Sequence, residues 1–168
     1  MADAIAVHGD HGAHAHHPDL QHHFDTLGQQ HEAATLGMIR SIAAVVAGFL
    51  AVAGLSLATD EVFHLLQVYP PWGVMMTDAR LYVLALSYRV VYTVLGGWIT
   101  ARLAPGAPMR YVTVLAIIGL IGGAAGVAVA LGRSDLGPLW YPIAILLTAY
   151  PCTWLGGVMR VRALPGRV

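Results

Sequence analysis

The sequence predicts an all-α integral membrane protein: four transmembrane helices forming two helical hairpins, both termini on the cytoplasmic side, preceded by a largely disordered His-rich tail. Three observations predict it. Of the 168 residues, 57% are hydrophobic and 11% charged, with a mean hydropathy of +0.65, a balance outside the soluble range. Four apolar runs, near 39–58, 81–101, 111–132 and 139–159, have the length of about 20 residues that a spanning helix needs. The stretches between them are rich in Pro and Gly, which mark turns at a water interface.

The tail, residues 1–38, differs in chemistry from the rest of the chain. It holds Asp3, Asp10, Asp19, Asp25 and Glu32 with no Arg or Lys, and eight of the nine His, whereas all nine Arg lie in 39–168. The formal net charge of zero thus hides an acidic tail on a basic membrane domain. A polar segment of this kind buries too little apolar surface to fold alone, although 24–36 has the pattern of an amphipathic surface helix. Imidazoles at His8, His11, His14, His16 and His17 can ligate a metal ion weakly; the alternative is a solvated tail with no metal. Residues 1–20 lack the basic start and apolar run of a signal peptide, so the first span is expected to direct insertion.

Tyr69-Pro70-Pro71-Trp72-Gly73 ends the first span, and Thr77 or Asp78 can cap the second. Ala104-Pro105-Gly106-Ala107-Pro108 separates the second from the third, and Pro138 suits the first turn of the fourth, where Pro151 is expected to kink the helix. Arg40, Arg102, Arg110, Arg160, Arg162 and Arg167 flank one face of the membrane. Arg80 and Arg133 flank the other, with Asp60, Glu61, Asp78 and Asp135. The positive-inside rule then puts both termini and the tail on the cytoplasmic side. Trp72, Trp98, Trp140 and Trp154, with Tyr82, Tyr111 and Tyr141, lie near helix ends as interfacial anchors. Leu95-Gly96-Gly97 and Leu155-Gly156-Gly157 recur at a spacing of 60, a pattern that two parallel hairpins would produce.

Arg89 lies inside the second span. An unpartnered charge there costs at least about 2.5–3.5 kcal/mol, so it needs a partner, and Asp60, Glu61 and His64 are the candidates if the first helix runs on past Thr59. This set reads either as a polar intramembrane site or as a structural ion pair. Gly119, Gly122, Gly123 and Gly126 give two overlapping small-xxx-small patterns, and Gly96 and Gly97 are further small positions; both serve close helix packing, within one chain or between two copies. No span contains a His, His64 lying only in the extension, so haem held between paired membrane His is excluded. There is no phosphate loop, dinucleotide fingerprint, zinc-protease motif or nucleophile elbow, so no catalytic residue is assigned and an enzyme acting alone is not expected. Lipid is the expected partner; no nucleic acid and no directly bound cofactor are expected.

Ala15-His16-His17-Pro18 and the run His22-His23-Phe24-Asp25-Thr26-Leu27-Gly28-Gln29-Gln30-His31-Glu32-Ala33-Ala34-Thr35-Leu36-Gly37-Met38 resemble the amino-terminal segment of bacterial haem-copper (cytochrome c) oxidase subunit III. That subunit binds lipid and supports the catalytic subunit without holding metal. The resemblance implies a docking role for His22, His23, Phe24, Asp25, Gln29, Gln30, His31 and Glu32 toward the oxidase catalytic subunits. It ends at Met38: Ile39-Arg40-Ser41 comes next, the helix-borne Glu of that family has no counterpart, and four spans are fewer than its five or seven. Residues 38–168 are instead similar to small, uncharacterised bacterial four-helix membrane proteins, through Tyr88-Arg89, Leu95-Gly96-Gly97, Ala101-Arg102-Leu103-Ala104-Pro105 and Pro108-Met109-Arg110. Two functions are therefore expected. One is a non-catalytic accessory subunit of a respiratory terminal oxidase; the other is a stand-alone transporter-like or scaffolding protein centred on Arg89, Asp60 and Glu61.

Overall fold

The computed structural model describes residues 18–133 and 136–163. It contains four helices, α1 (Pro18–Leu65), α2 (Ala79–Leu103), α3 (Pro108–Gly132) and α4 (Trp140–Arg162), and no strand among the described residues. All four are long and apolar enough to cross a membrane. Two compact units divide the chain, one up to Leu36 and one from Gly37 onward.

The largest difference from the sequence reading lies in α1. Its helix begins at Pro18, so the described part of the tail is helical; residues 1–17, with His8, His11, His14, His16 and His17, lie outside the described residues. Strong helix formers, Gln29, Gln30, Glu32, Ala33, Ala34 and Leu36, account for this. At the other end α1 passes 58 and reaches Leu65. It stops in a Schellman turn: Val68 N donates to Phe63 O, Gln67 N donates to His64 O, and Gln67 takes the left-handed conformation at φ 57°. The reversal seats Tyr69 against Phe63, ring centroids 5.2 Å apart.

The other boundaries have local causes. Asp78 caps α2, its Oδ1 accepting from Arg80 N at 2.8 Å. Ala104 is extended, as the residue before Pro105 must be, and ends α2. Pro108 opens α3 at the position where a missing N–H is harmless. Pro138 stands just outside α4, which starts at Trp140, and its carbonyl accepts from Tyr141 N at 3.2 Å. Gly137, just before Pro138, has φ 103°, and a Cβ there would strike the Tyr82 ring.

Small residues make up much of the interior of the unit from Gly37, beside Tyr69, Tyr82, Val112 and Leu115, while many large apolar side chains face outward. Ala44, Ala85, Ala101, Ala116, Ala149, Thr100 and Thr153 are buried, while Ile121 and Leu147 are 65% and 69% exposed. That inversion suits lipid as the solvent, where close backbone approach rather than water exclusion joins helices. Glycines make the seams. Gly48 of α1 lies against Thr100 and the Gly96 carbonyl of α2, and Gly97 of α2 lies against the Thr153 carbonyl of α4. Gly156 of α4 returns the contact to Val94 and Trp98 of α2, and Gly157 faces Met109 and Val112 of α3. Each glycine pair therefore serves two neighbouring helices, one residue per seam.

Backbone atoms flank the Cβ position at Gly156, so Gly156→Val is expected to cost at least about 2 kcal/mol of stability through overpacking. Gly54, with open space around it, should tolerate Ala with no loss or a gain of up to about 1 kcal/mol. Reversible unfolding in mixed micelles, monitored by circular dichroism, compares the two.

Candidate functional site

Arg89 lies nine residues beyond Arg80, a rise of roughly 13 Å along α2, well inside the span. Asp60 reaches it because α1 continues to Leu65. The Arg89 Nη2 to Asp60 Oδ2 distance is 2.5 Å, and the side chains are 25% and 11% exposed. Asp60 also accepts through Oδ1 from the Tyr88 hydroxyl. Arg89 Nη1 donates to the Tyr141 hydroxyl at 2.7 Å and to the Tyr88 hydroxyl at 3.1 Å. Tyr69 extends the chain, its hydroxyl 3.3 Å from that of Tyr88. Since Tyr88 donates its proton to Asp60, Tyr69 is the donor in this contact. Burial pushes the Tyr69 phenol above its ordinary pKa, so it keeps the proton it donates. One carboxylate thus gathers groups from α1, α2 and the loop 66–78, and Arg89 adds α4.

The aromatic surroundings are dense. Five of the seven Tyr stand in this half of the unit: Tyr69, Tyr82, Tyr88, Tyr92 and Tyr141. The guanidinium carbon of Arg89 lies 5.2 Å from the Tyr88 ring centroid and 5.9 Å from that of Tyr141, within cation–π range. Tyr92 pairs with Thr59 of α1, hydroxyl to hydroxyl, at 2.9 Å.

Glu61 and His64 leave the set that the sequence brought together. One position further round α1 than Asp60, Glu61 accepts from Trp72 Nε1 at 3.3 Å. His64 Nδ1 lies 2.7 Å from Pro70 O, and its ring packs on Trp72 at 4.0 Å. Both hold the loop that follows α1. Among the described residues no group of three His, Cys, Asp or Glu gathers as a metal site would require.

Beside Arg89 is a cavity of about 230 Å³ walled by all four helices. Phe49 and Val52 come from α1, Leu86, Arg89, Val90 and Thr93 from α2, Leu115, Ile118 and three glycines from α3, and Ile145, Thr148, Ala149 and Thr153 from α4. Phe49 and Ile118 are also exposed on the outer surface, which places the mouth between α1 and α3. The glycines divide by register. Gly119 and Gly123 pack on Ala149 and Leu146 of α4, whereas Gly122 and Gly126 have nothing near their Cβ positions. Gly122 leaves its volume to the cavity.

Residues that sequence reasoning missed are Tyr88, Tyr69, Tyr92 and Thr59, and Tyr141 was placed among the interfacial anchors although its hydroxyl accepts from Arg89. Tyr88 and Tyr92 sit four apart on α2, on one face beside Arg89, a signal the sequence did carry. In the unit up to Leu36, the side chains of Phe24, Asp25, Gln29, Gln30, His31 and Glu32 are exposed, as is that of His23. His22 lies in α1.

No family model matches this chain, and no curated protein or solved structure does so either.

Removing one member of a desolvated pair leaves the other uncompensated, so Asp60→Asn and Arg89→Met are each expected to cost about 3 kcal/mol or more. The double variant should cost less than the sum of the singles by at least about 1 kcal/mol. A double-mutant cycle by steric-trap unfolding in bicelles measures this coupling; simple additivity would mean that the two groups do not interact.

Proposed function

We propose that the chain is a non-catalytic, multi-pass protein of the bacterial inner membrane, with both termini cytoplasmic and the four spans paired as two hairpins. Its four-helix unit works by itself as a transporter-like or scaffolding protein that holds a small molecule at Arg89. The observation that carries this reading is the cavity wall: an ion pair serving packing alone would be enclosed, whereas Arg89 keeps a quarter of its side chain accessible and lines an apolar cavity. Ligand sites with a few polar groups in an apolar wall, between helices of a bundle, have this form.

Native mass spectrometry tests it. Wild-type protein released from membranes should carry a small non-covalent adduct. The Asp60→Asn/Arg89→Met variant, which removes both charges together, should insert normally and lose the adduct. A bare wild-type chain, or an adduct kept by the variant, would sink the proposal.

The other reading, an accessory subunit of a respiratory haem-copper oxidase, is supported by the helical segment up to Leu36, which exposes Phe24, Leu27 and Leu36 beside the oxidase-like polar residues. Unpartnered apolar side chains on a polar helix suit a docking element. On that reading, protein purified gently from native membranes shows haem absorbance, and deletion of residues 1–36 abolishes it. A haem-free preparation of the full-length chain would remove this reading.

A further inference from the structure

The donors and acceptors in the cavity wall can be counted, and the count limits what fits. Three of the wall residues carry hydroxyls, and each donates to its own helix: Thr93 to Arg89 O at 2.7 Å, Thr148 to Ala144 O at 2.8 Å and Thr153 to Ala149 O at 2.7 Å. Apart from Arg89, the other wall side chains are apolar or absent. Arg89 has five N–H bonds. Its Nη1 pair serves Tyr88, Tyr141 and, more weakly, the Ala85 carbonyl, and one Nη2 hydrogen serves Asp60. The Nε hydrogen and the second Nη2 hydrogen have no acceptor among the described residues. Unspent side-chain donors in this wall therefore belong to Arg89 alone.

Charge narrows the choice further. Asp60 already neutralises Arg89 at short range, so an anionic head would leave a net negative charge in a low-dielectric wall. A cation would meet the same penalty and would face a donor. An uncharged acceptor meets neither. Size and shape complete the description: an engineered apolar cavity of about 150 Å³ takes up benzene, and this one is about one and a half times as large. Gly119, Gly122 and Gly123 make part of its wall bare backbone, against which a flat ring can lie.

We propose, resting on the Arg89-centred function, that the cavity binds an uncharged, lipid-soluble aromatic carbonyl compound. The ring occupies the space at Gly122, and the carbonyl oxygen accepts from the free N–H groups of Arg89. The ligand enters from the lipid between Phe49 and Ile118.

Photolabelling tests this with benzophenone, an uncharged diaryl ketone that is its own photoreactive group, on the full-length protein in lipid nanodiscs. Wild-type protein should take up label on peptides covering 86–93, 115–123 and 145–153. Gly122→Leu, at a wall position with no atom within 4 Å of the new Cβ, should keep the unfolding midpoint and lose labelling at least fivefold. Diphenylmethane, the same shape without the oxygen, should compete at least about tenfold more weakly than phenyl benzoate, which keeps a carbonyl beside the rings, since a bond from a charged donor is lost. The carboxylate 4-benzoylbenzoate should also compete more weakly than phenyl benzoate. Labelling elsewhere, or unchanged labelling in Gly122→Leu, would overturn the site; equal competition by diphenylmethane would overturn the carbonyl contact, and stronger competition by the carboxylate would overturn the neutral head. The adduct measurement on the Asp60→Asn/Arg89→Met variant is independent of these probes, so failure here and failure of the Arg89-centred function are told apart.

Discussion

A guanidinium inside an apolar span must be neutralised where it stands, and much of this structure derives from that constraint. Arg89 lies well inside α2, and the bundle brings it a carboxylate. Asp60 can be that carboxylate only because α1 continues through Thr59 to Leu65. The pair fixes the axial register of α1 against α2, with the Tyr88 hydroxyl donating to Asp60 and the Tyr141 hydroxyl accepting from Arg89. Through Tyr141 the register of α4 is tied to the same point.

Glycine supplies what the pair does not, which is close contact along the rest of the seams. In lipid, large apolar side chains gain little by turning inward, because hydrocarbon is as favourable outside as within. Small residues therefore form much of the interior, and the positions at which a Cβ would meet a neighbouring backbone mark where helices touch. Gly48 with Gly96 joins α1 to α2, and Gly97 with Gly156 joins α2 to α4. The same economy of side chains opens the cavity, since Gly122 turns its missing volume toward no neighbour.

The two halves of the chain carry different kinds of information. The segment up to Leu36 presents polar and apolar side chains together on an exposed helix. From Gly37 onward the cavity wall is apolar, its three Thr hydroxyls bond to their own helices, and Arg89 is its charged residue.

Length and hydropathy act locally along a chain, and for that reason the four spans and their breaks were legible in the residues: α2, α3 and α4 begin and end within about three residues of the runs 81–101, 111–132 and 139–159. Arg89 was equally legible as a charge in need of a partner. Which of Asp60, Glu61 and His64 would be that partner was not, because three neighbouring candidates differ only in the direction they leave α1, and that direction matters only once α2 is packed alongside. The helical state of residues 18–38 was legible in part: 24–36 carried an amphipathic helical pattern, while the polarity of the tail argued for disorder and its helix propensity for the continuous helix that is observed. Packing settled that Glu61 and His64 serve the loop, that the Tyr141 hydroxyl partners Arg89, and that Gly119 and Gly123 touch α4 while Gly122 and Gly126 do not. The reason is the same in each case: identity and spacing give a side chain its chemistry, but only the neighbouring helix gives it something to meet.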